Sequence, residues 1–139
     1  MTSANELARE VERLFAALIR EGGRLGFEET VPLSSTQRVA LATLVDEGAL
    51  RLGALGSAMG TTDATATRTV QALERLGLVG REPDAADGRG VLIAASREGR
   101  ELIAGGRKRL ARILDELVDE SEHERVVELL RGLSGAVVR

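Results

Sequence analysis

The 139-residue chain has no cysteine, no tryptophan and no tyrosine, and it has one lysine and one histidine, His123. Because cysteine is absent, disulfide scaffolds, thiol catalysis, cysteine-based redox sensing and zinc ribbons are excluded. A single histidine also excludes a histidine metal cluster and a pair of histidines acting as acid and base within one chain. The two phenylalanines are the only aromatic residues, which argues against a protein that stacks single-stranded bases on aromatic platforms.

Long apolar runs and an excess of positive charge are also missing. No apolar run approaches the roughly 20 residues of a membrane-spanning helix, and the N-terminal sequence MTSANELARE lacks the basic and apolar regions of a secretory signal. We therefore expect a cytoplasmic protein with no membrane partner. The net charge is −3, from 19 basic and 22 acidic residues, so binding to nucleic acid would depend on a local patch of arginines.

The hydrophobic periodicity predicts a mainly α-helical chain with one small β-hairpin. Ser34-x-x-Gln37 and Ser121-x-x-Glu124 are capping-box patterns, which predict that helices begin there. Ser96 can cap a further helix. The predicted helices cover 5–21 (ending at Gly22-Gly23), 34–48, 51–59, 62–76 and 97–119, with a last helix after Ser121, and the predicted strands cover 78–82 and 91–94.

The two ends of the chain differ from its middle. The middle segment, 34–96, can form a compact lobe by itself. The helices before and after it have wide apolar faces, which a homodimer with interleaved terminal helices would bury. We therefore divide the chain into an N-terminal dimerisation helix with its connector (1–33), the lobe (34–96) and C-terminal dimerisation helices (97–139).

Residues 51–76 have the helix–tight turn–helix pattern of a helix-turn-helix, whose second helix can enter the major groove of DNA. Gly60 marks the turn, and Thr61, Thr62 and Asp63 are candidates for the helix cap. Helical spacing assigns the buried side of the second helix to Ala66, Val70, Leu73 and Gly77, and the outward side to Ala64, Arg68, Gln71 and Arg75, with Thr65 beside them.

The outward face of this second helix carries residue types that suit DNA recognition. Arg68 can form a bidentate bond to guanine, and Thr65 can contact a phosphate, a base edge or a thymine methyl group. The helix N-terminus adds backbone donors toward a phosphate. Asp63 can cap the helix and accept a hydrogen bond from cytosine, but it repels phosphates. An ordinary helical hairpin with a solvated face is the alternative interpretation of this segment.

A β-hairpin directly after the second helix would complete a winged helix. The predicted wing tip contains Asp87 and Arg89, and Gly88 and Gly90 allow sharp backbone geometry on both sides of the arginine. A protruding Arg89 can reach into a narrow minor groove, where the negative potential is enhanced. Asp87 could orient the Arg89 guanidinium or brace the hairpin. The alternative is a surface ion pair between the two side chains that only stabilises the turn.

Together these motifs resemble the MarR family of bacterial transcriptional regulators, over nearly the whole chain. The segments that carry the resemblance are 33–37, 52–55, 65–79 and 84–100. The wing motif of the family, Asp-x-Arg before an apolar strand, matches Asp87 and Arg89. Its Leu-Thr-x-x-Gly motif is found here as the sequence ASREG, residues 95–99, in which Ser96 keeps the capping hydroxyl.

The resemblance implies a winged helix-turn-helix lobe joined to a helical dimerisation region. It implies a homodimer that binds a pseudo-palindromic operator in double-stranded DNA, usually as a repressor. It also implies a small-molecule effector, bound between the dimer helices and the lobe, that releases the DNA. We expect no catalytic residue, cofactor or metal, and we assign no effector-binding residue. The candidate DNA-binding residues are Ser34, Thr36, Gln37, Thr62, Asp63, Ala64, Thr65, Arg68, Arg75, Asp87 and Arg89.

Two branches of the family do not fit this sequence, because one senses oxidants through cysteine and the other binds zinc through several histidines.

Residues 34–97 contain seven arginines and seven acids, so DNA binding requires that Arg68, Arg75 and Arg89 share a face and that the acids lie elsewhere. The neutral lobe and Asp63 support a second hypothesis, a winged-helix dimer that binds proteins and not DNA. An enzyme is the third hypothesis, but the acid pairs of the last two helices are more typical of a solvated face.

Overall fold

The computed structural model describes residues 1–20 and 31–138, except for the side chains of Leu18 and Ile19. The predicted helix stop at Gly22-Gly23 and most of the connector after it lie outside these residues. The mainly helical fold with one hairpin is confirmed. The elements in chain order are α1 (Ala4–Arg20), α2 (Ser35–Glu47), α3 (Leu52–Met59), α4 (Asp63–Arg75), β1 (Val79–Pro83), β2 (Val91–Ala95), α5 (Arg97–Leu117), a 3₁₀ turn (Glu120–Glu122) and α6 (His123–Val137).

Helices α2, α4 and α5 each begin at a residue whose side-chain hydroxyl caps the helix. Ser34 and Gln37 form the predicted capping box, in which each side chain accepts a hydrogen bond from the other's backbone amide. Ser96 caps α5 by accepting from the amide of Gly99. Thr62 caps α4 by accepting from the amide of Thr65, because its backbone is still extended there.

The expectations that involve Asp63 and Ser121 as caps are wrong. Asp63 is the first residue of α4, so its side chain follows the cap position that Thr62 occupies. Ser121 lies inside the 3₁₀ turn, where the backbone is already wound. The last helix begins at His123 without a side-chain cap. A capping box needs an extended N-cap residue, and the turn removes that geometry at Ser121.

The hydrophobic core lies in the middle segment. Its largest fully buried side chains come from α2, α3, α4 and β2, and they are Leu41, Leu44, Leu55, Val70, Leu73 and Ile93. On α4, Ala66, Val70 and Leu73 are buried as the helical spacing predicts. Gly77 is exposed, contrary to that prediction, because the helix has ended and this glycine makes the turn with φ of +73°.

The hairpin is part of a slightly wider sheet. Strands β1 and β2 pair antiparallel from Val79 opposite Ala95 to Pro83 opposite Val91. On the other side of β2, Leu50 exchanges two backbone hydrogen bonds with Ile93, at 3.0 and 2.7 Å. Arg51, which follows Leu50, is therefore held beside the hairpin.

The first turn of α5 packs closely against the lobe. The Ser96 hydroxyl donates to the carbonyl of Gly77 at 2.7 Å, and the Ser96 amide donates to the carbonyl of Leu78 at 2.9 Å. A side chain on Gly99 would collide with the Leu78 carbonyl oxygen. Position 99 therefore requires glycine, because α5 lies in close contact with the backbone at Leu78.

The end helices expose apolar side chains in the single chain. On α1, Leu7, Val11, Leu14 and Phe15 are between 45% and 64% exposed. The corresponding large apolar residues of α5 and α6 are Ile113, Leu114, Leu117, Val127, Leu129, Leu130, Leu133 and Val137. Within residues 1–20 and 31–138, we find no helix with the length and apolarity that crossing a bilayer requires.

Candidate nucleic-acid interface

Helix α4 presents the face that the sequence predicts. Ala64, Arg68, Gln71 and Arg75 are all exposed, and Thr65 is half-buried beside them. At the start of the helix, the Thr62 hydroxyl lies 3.1 Å from the Thr65 hydroxyl, and Arg68 Nη2 donates to that same Thr65 oxygen at 3.4 Å. Hydroxyl groups and a guanidinium are thus concentrated at the N-terminal half of α4.

The start of α2 contributes a second group of candidate residues. Ser34 and Gln37 are engaged in the capping box, at 3.1 and 3.0 Å, but the Gln37 amide still has its NH₂ group to donate. Thr36 is exposed. A cleft of about 290 Å³ joins the two helices, and Thr36 of α2 and Thr65 of α4 both line it. The structure therefore brings these two predicted residues together at one surface cleft.

The wing tip is built around Asp87, and the ion pair with Arg89, which was the alternative interpretation, is not formed. One carboxylate oxygen of Asp87 accepts from the backbone amide of Arg89 at 3.2 Å. The other accepts from Arg51 Nη2 at 3.0 Å. The carboxylate is thus paired with a different arginine, and Asp87 braces the hairpin. The Arg89 side chain is exposed.

Arg51 is a site residue that the sequence analysis missed. Its Nε and Nη2 atoms both donate to Asp84 Oδ2, at 3.1 and 3.0 Å, in addition to the Asp87 contact. These hydrogen bonds lower the pKa of both carboxyls and raise that of the arginine. The partners lie 33 and 36 residues away in the chain. In the sequence, Arg51 could have been noticed from its position directly before α3.

Most acids of the lobe are neutralised by ion pairs with arginines. Besides Asp84 and Asp87, Glu74 pairs with Arg81 at 3.0 Å and Asp46 pairs with Arg107 of α5 at 2.7 Å. Four of the seven acids are therefore held by arginines outside the predicted DNA-binding set. In the part of the chain that the structure describes, no carboxylate lies within ion-pair distance of the three remaining candidates, Arg68, Arg75 and Arg89.

Asp63 remains as an acidic residue at this surface. It is exposed in the first turn of α4, where a carboxylate interacts favourably with the helix dipole.

Within residues 1–20 and 31–138, no three histidine, aspartate or glutamate side chains converge to hold a metal ion. The exposed arginines and hydroxyls of α2, α4 and the wing are therefore the polar groups that define the site.

A helix-turn-helix whose second helix exposes arginines, followed by a hairpin with an exposed arginine at its tip, defines a winged-helix DNA-binding protein. A sequence profile described as the MarR family matches residues 33–91. An uncharacterized HTH-type transcriptional regulator of Mycobacterium leprae is 37% identical over 102 residues, which are 73% of this chain and 71% of that protein.

Solved structures agree with this comparison. A MarR family protein from Bacillus stearothermophilus has a TM-score of 0.69 and 29% identity, with 99% of this chain and 100% of that chain covered. The PcaV transcriptional regulator of Streptomyces coelicolor, solved with its natural ligand, has a TM-score of 0.60 and 27% identity, with coverage of 98% and 94%. The chain belongs to the MarR family of transcriptional regulators, which are DNA-binding proteins and not enzymes.

Proposed function

We propose that this regulator is a homodimeric repressor of a pseudo-palindromic operator and that a small molecule releases it from DNA. The observation that carries the DNA-binding part is the pattern of ion pairs in the lobe. Arg68, Arg75 and Arg89 are exposed without a carboxylate partner among the described residues, while most acids of the lobe are occupied by other arginines. Unneutralised arginines at a groove-binding helix and a wing are suited to phosphates and base edges.

Each element of the site has a proposed role. The N-terminal half of α4, with Ala64, Thr65 and Arg68, enters the major groove, because the first turns of a recognition helix approach the bases. Arg68 reads a guanine, and the small Ala64 side chain permits close approach. Arg75 lies two turns further along the exposed face and contacts a flanking phosphate.

Backbone contacts come from the helix starts. Ser34, Thr36 and Gln37 bind phosphates at the N-terminus of α2, where amides and hydroxyls are available to an anion. Thr62 does the same at the start of α4. Asp63, which would repel a phosphate, faces a cytosine amino group as an acceptor. Arg89 enters the minor groove from the wing, and Asp87 supports it.

The exposed apolar side chains of α1, α5 and α6 support the proposed homodimer. Exposure between 41% and 75% at Leu7, Phe15, Ile113 and Leu117 is unusual for a monomer, because contiguous apolar patches are ordinarily buried in an interface. The chain would thus divide as the sequence predicts, with the lobe at 34–96 and dimerisation segments at 1–33 and 97–139. Two copies related by a twofold axis would place the two lobes on two operator half-sites.

A cavity beside the lobe supports the proposed effector. It has a volume of about 450 Å³ and lies between α5 and the end of α4, lined among others by Leu76, Leu78, Glu98, Leu102 and Arg109. PcaV, a structural relative, was solved with its natural ligand. A small molecule in this cavity would touch both the lobe and the helix that enters the dimer region.

The test is selection of bound duplexes from a random DNA library by the wild-type protein and by the double variant Arg68→Ala/Arg89→Ala. The matched control is Arg97→Ala/Arg125→Ala, which removes the same charge from exposed positions whose ion pairs lie within their own helices. We expect an enriched inverted repeat with the wild type and the control, and none with the double variant. A folded dimer that enriches no sequence at low salt would refute the proposal and favour protein partners.

A further inference from the structure

Arg51, the residue before α3, contacts two aspartates of the wing. The guanidinium of Arg51 binds Asp84 through Nε and Nη2 and binds Asp87 through Nη2, all within 3.1 Å. We call these three residues the wing clamp. Arg51 is itself tied to the sheet, because its neighbour Leu50 is hydrogen-bonded to Ile93 of β2. The clamp thus links the sheet to the loop between the two strands.

The Asp87 side chain connects the wing clamp to Arg89. One carboxylate oxygen of Asp87 accepts a hydrogen bond from Arg51 Nη2 at 3.0 Å, and the other accepts from the backbone amide of Arg89 at 3.2 Å. The loop is closed further by backbone bonds from Asp87 to Asp84 and from Gly90 to Asp87, at 3.2 and 2.9 Å. The backbone of Arg89 is therefore fixed while its guanidinium stays exposed.

The clamp also depends on the absence of a side chain at Gly90. A Cβ atom there would overlap Nη2 of Arg51 and lie 2.8 Å from its Cζ. Gly90 therefore permits the guanidinium to lie directly against the backbone of the loop. This contact is a second observation, independent of the ion pairs, that the loop is shaped around Arg51.

We propose that Arg51 is a positioning residue for DNA recognition, which holds the wing loop in its binding conformation and keeps the Asp87 carboxylate away from the Arg89 guanidinium. This inference rests on the proposed function, in which Arg89 enters the minor groove. Ordering a loop costs conformational entropy, and a loop ordered in the free protein does not have to meet that cost on binding. If Arg51 were absent, the Asp87 carboxylate would be left to neutralise Arg89, because Asp87 is the acid nearest to Arg89 in the sequence.

The experiment measures coupling between the clamp and Arg89 on the selected duplex. The test variant is Arg51→Gln/Asp84→Asn, which breaks the clamp without changing the net charge. The matched control is Arg81→Gln/Glu74→Gln, which breaks the other ion pair of the hairpin, also without a change in net charge. Each is combined with Arg89→Ala, and affinity is measured by fluorescence anisotropy. Hydrogen exchange of residues 84–90 reports whether the loop has lost its order.

We expect the clamp variant to weaken binding roughly 3- to 10-fold when Arg89 is present and to have almost no effect when Arg89 is alanine, since residues in one network are coupled. Exchange at residues 84–90 should become faster in the clamp variant only. The control should show no such coupling. An equal loss in both backgrounds, or no loss, would overturn the inference while the DNA-binding proposal stands. If Arg89→Ala itself binds as tightly as wild type, the proposed minor-groove contact fails first.

Discussion

Alanine at Gly99 should destabilise the protein, whereas alanine at Gly105, six residues further along the same helix, should stabilise it. An ideal Cβ on Gly99 would lie 2.9 Å from Cδ1 of Leu41 and 3.2 Å from the carbonyl carbon of Leu78, and closer still to the oxygen of that carbonyl. The Leu41 methyl can move. The carbonyl cannot move freely, because it accepts the amide of Ser96 at 2.9 Å and Leu78 is buried.

The two substitutions differ in sign because their surroundings differ. Forcing a methyl group into a filled site costs about 1–3 kcal/mol, so we expect this loss in the free energy of unfolding for Gly99→Ala. Among the residues that the structure describes, none has an atom within 4 Å of a Cβ on Gly105. Alanine there should gain part of the roughly 0.8–1.0 kcal/mol by which its helix propensity exceeds that of glycine.

The assay is urea denaturation followed by far-ultraviolet circular dichroism, because the chain has no tryptophan or tyrosine to report by fluorescence. All variants are compared at one protein concentration, since the stability of the proposed dimer would depend on it. Equal stability of Gly99→Ala and wild type would refute the argument. Equal destabilisation by both alanines would indicate that glycine is needed for helix flexibility and not for close packing.

Three further predictions concern the core, pH and salt. Leu73→Ala should cost about 2–5 kcal/mol in urea denaturation, because Leu73 is fully buried on the inner face of α4; a cost under about 1 kcal/mol would contradict this packing. Hydrogen bonding to Arg107 lowers the pKa of Asp46 below 3.8, so the stability from this pair is complete above that pH and is lost as the pH falls through the lowered value. The effect of Asp46→Asn on the urea midpoint should therefore be constant from roughly pH 5 to 8 and shrink in acid, whereas a change near neutral pH would contradict the assignment. Arg75→Ala should reduce the slope of log affinity against log salt concentration by about 0.9, and an unchanged slope would remove its phosphate contact.

Local sequence patterns predicted much of the fold. The caps at Ser34 and Ser96 were predictable because each involves residues three positions apart on the same helix. The outward face of α4 followed from helical spacing in the same way. The pattern at Ser121 failed, since a serine followed by a glutamate also fits a 3₁₀ turn, and only the backbone conformation distinguishes the two.

Long-range contacts were not predictable from a single sequence. The pairing of Leu50 with Ile93 spans 43 positions and leaves no periodic signal. The contact of Arg51 with Asp84 and Asp87 was missed for the same reason, and Arg89 was the obvious partner for Asp87 because it lies two residues away. The neutral charge of the lobe likewise concealed which arginines are paired. The DNA-contact residues themselves stay predictions.

The central claim is that two lobes of a dimer place α4 in successive major grooves and Arg89 in the flanking minor grooves. Hydroxyl-radical footprinting of the selected duplex tests it most directly, because hydroxyl radicals cleave the backbone from the minor groove side. We predict two protected half-sites about 10 base pairs apart, with outer protected positions that disappear for Arg89→Ala while the inner ones remain. A footprint without twofold symmetry, or outer protection that survives the loss of Arg89, would contradict the account.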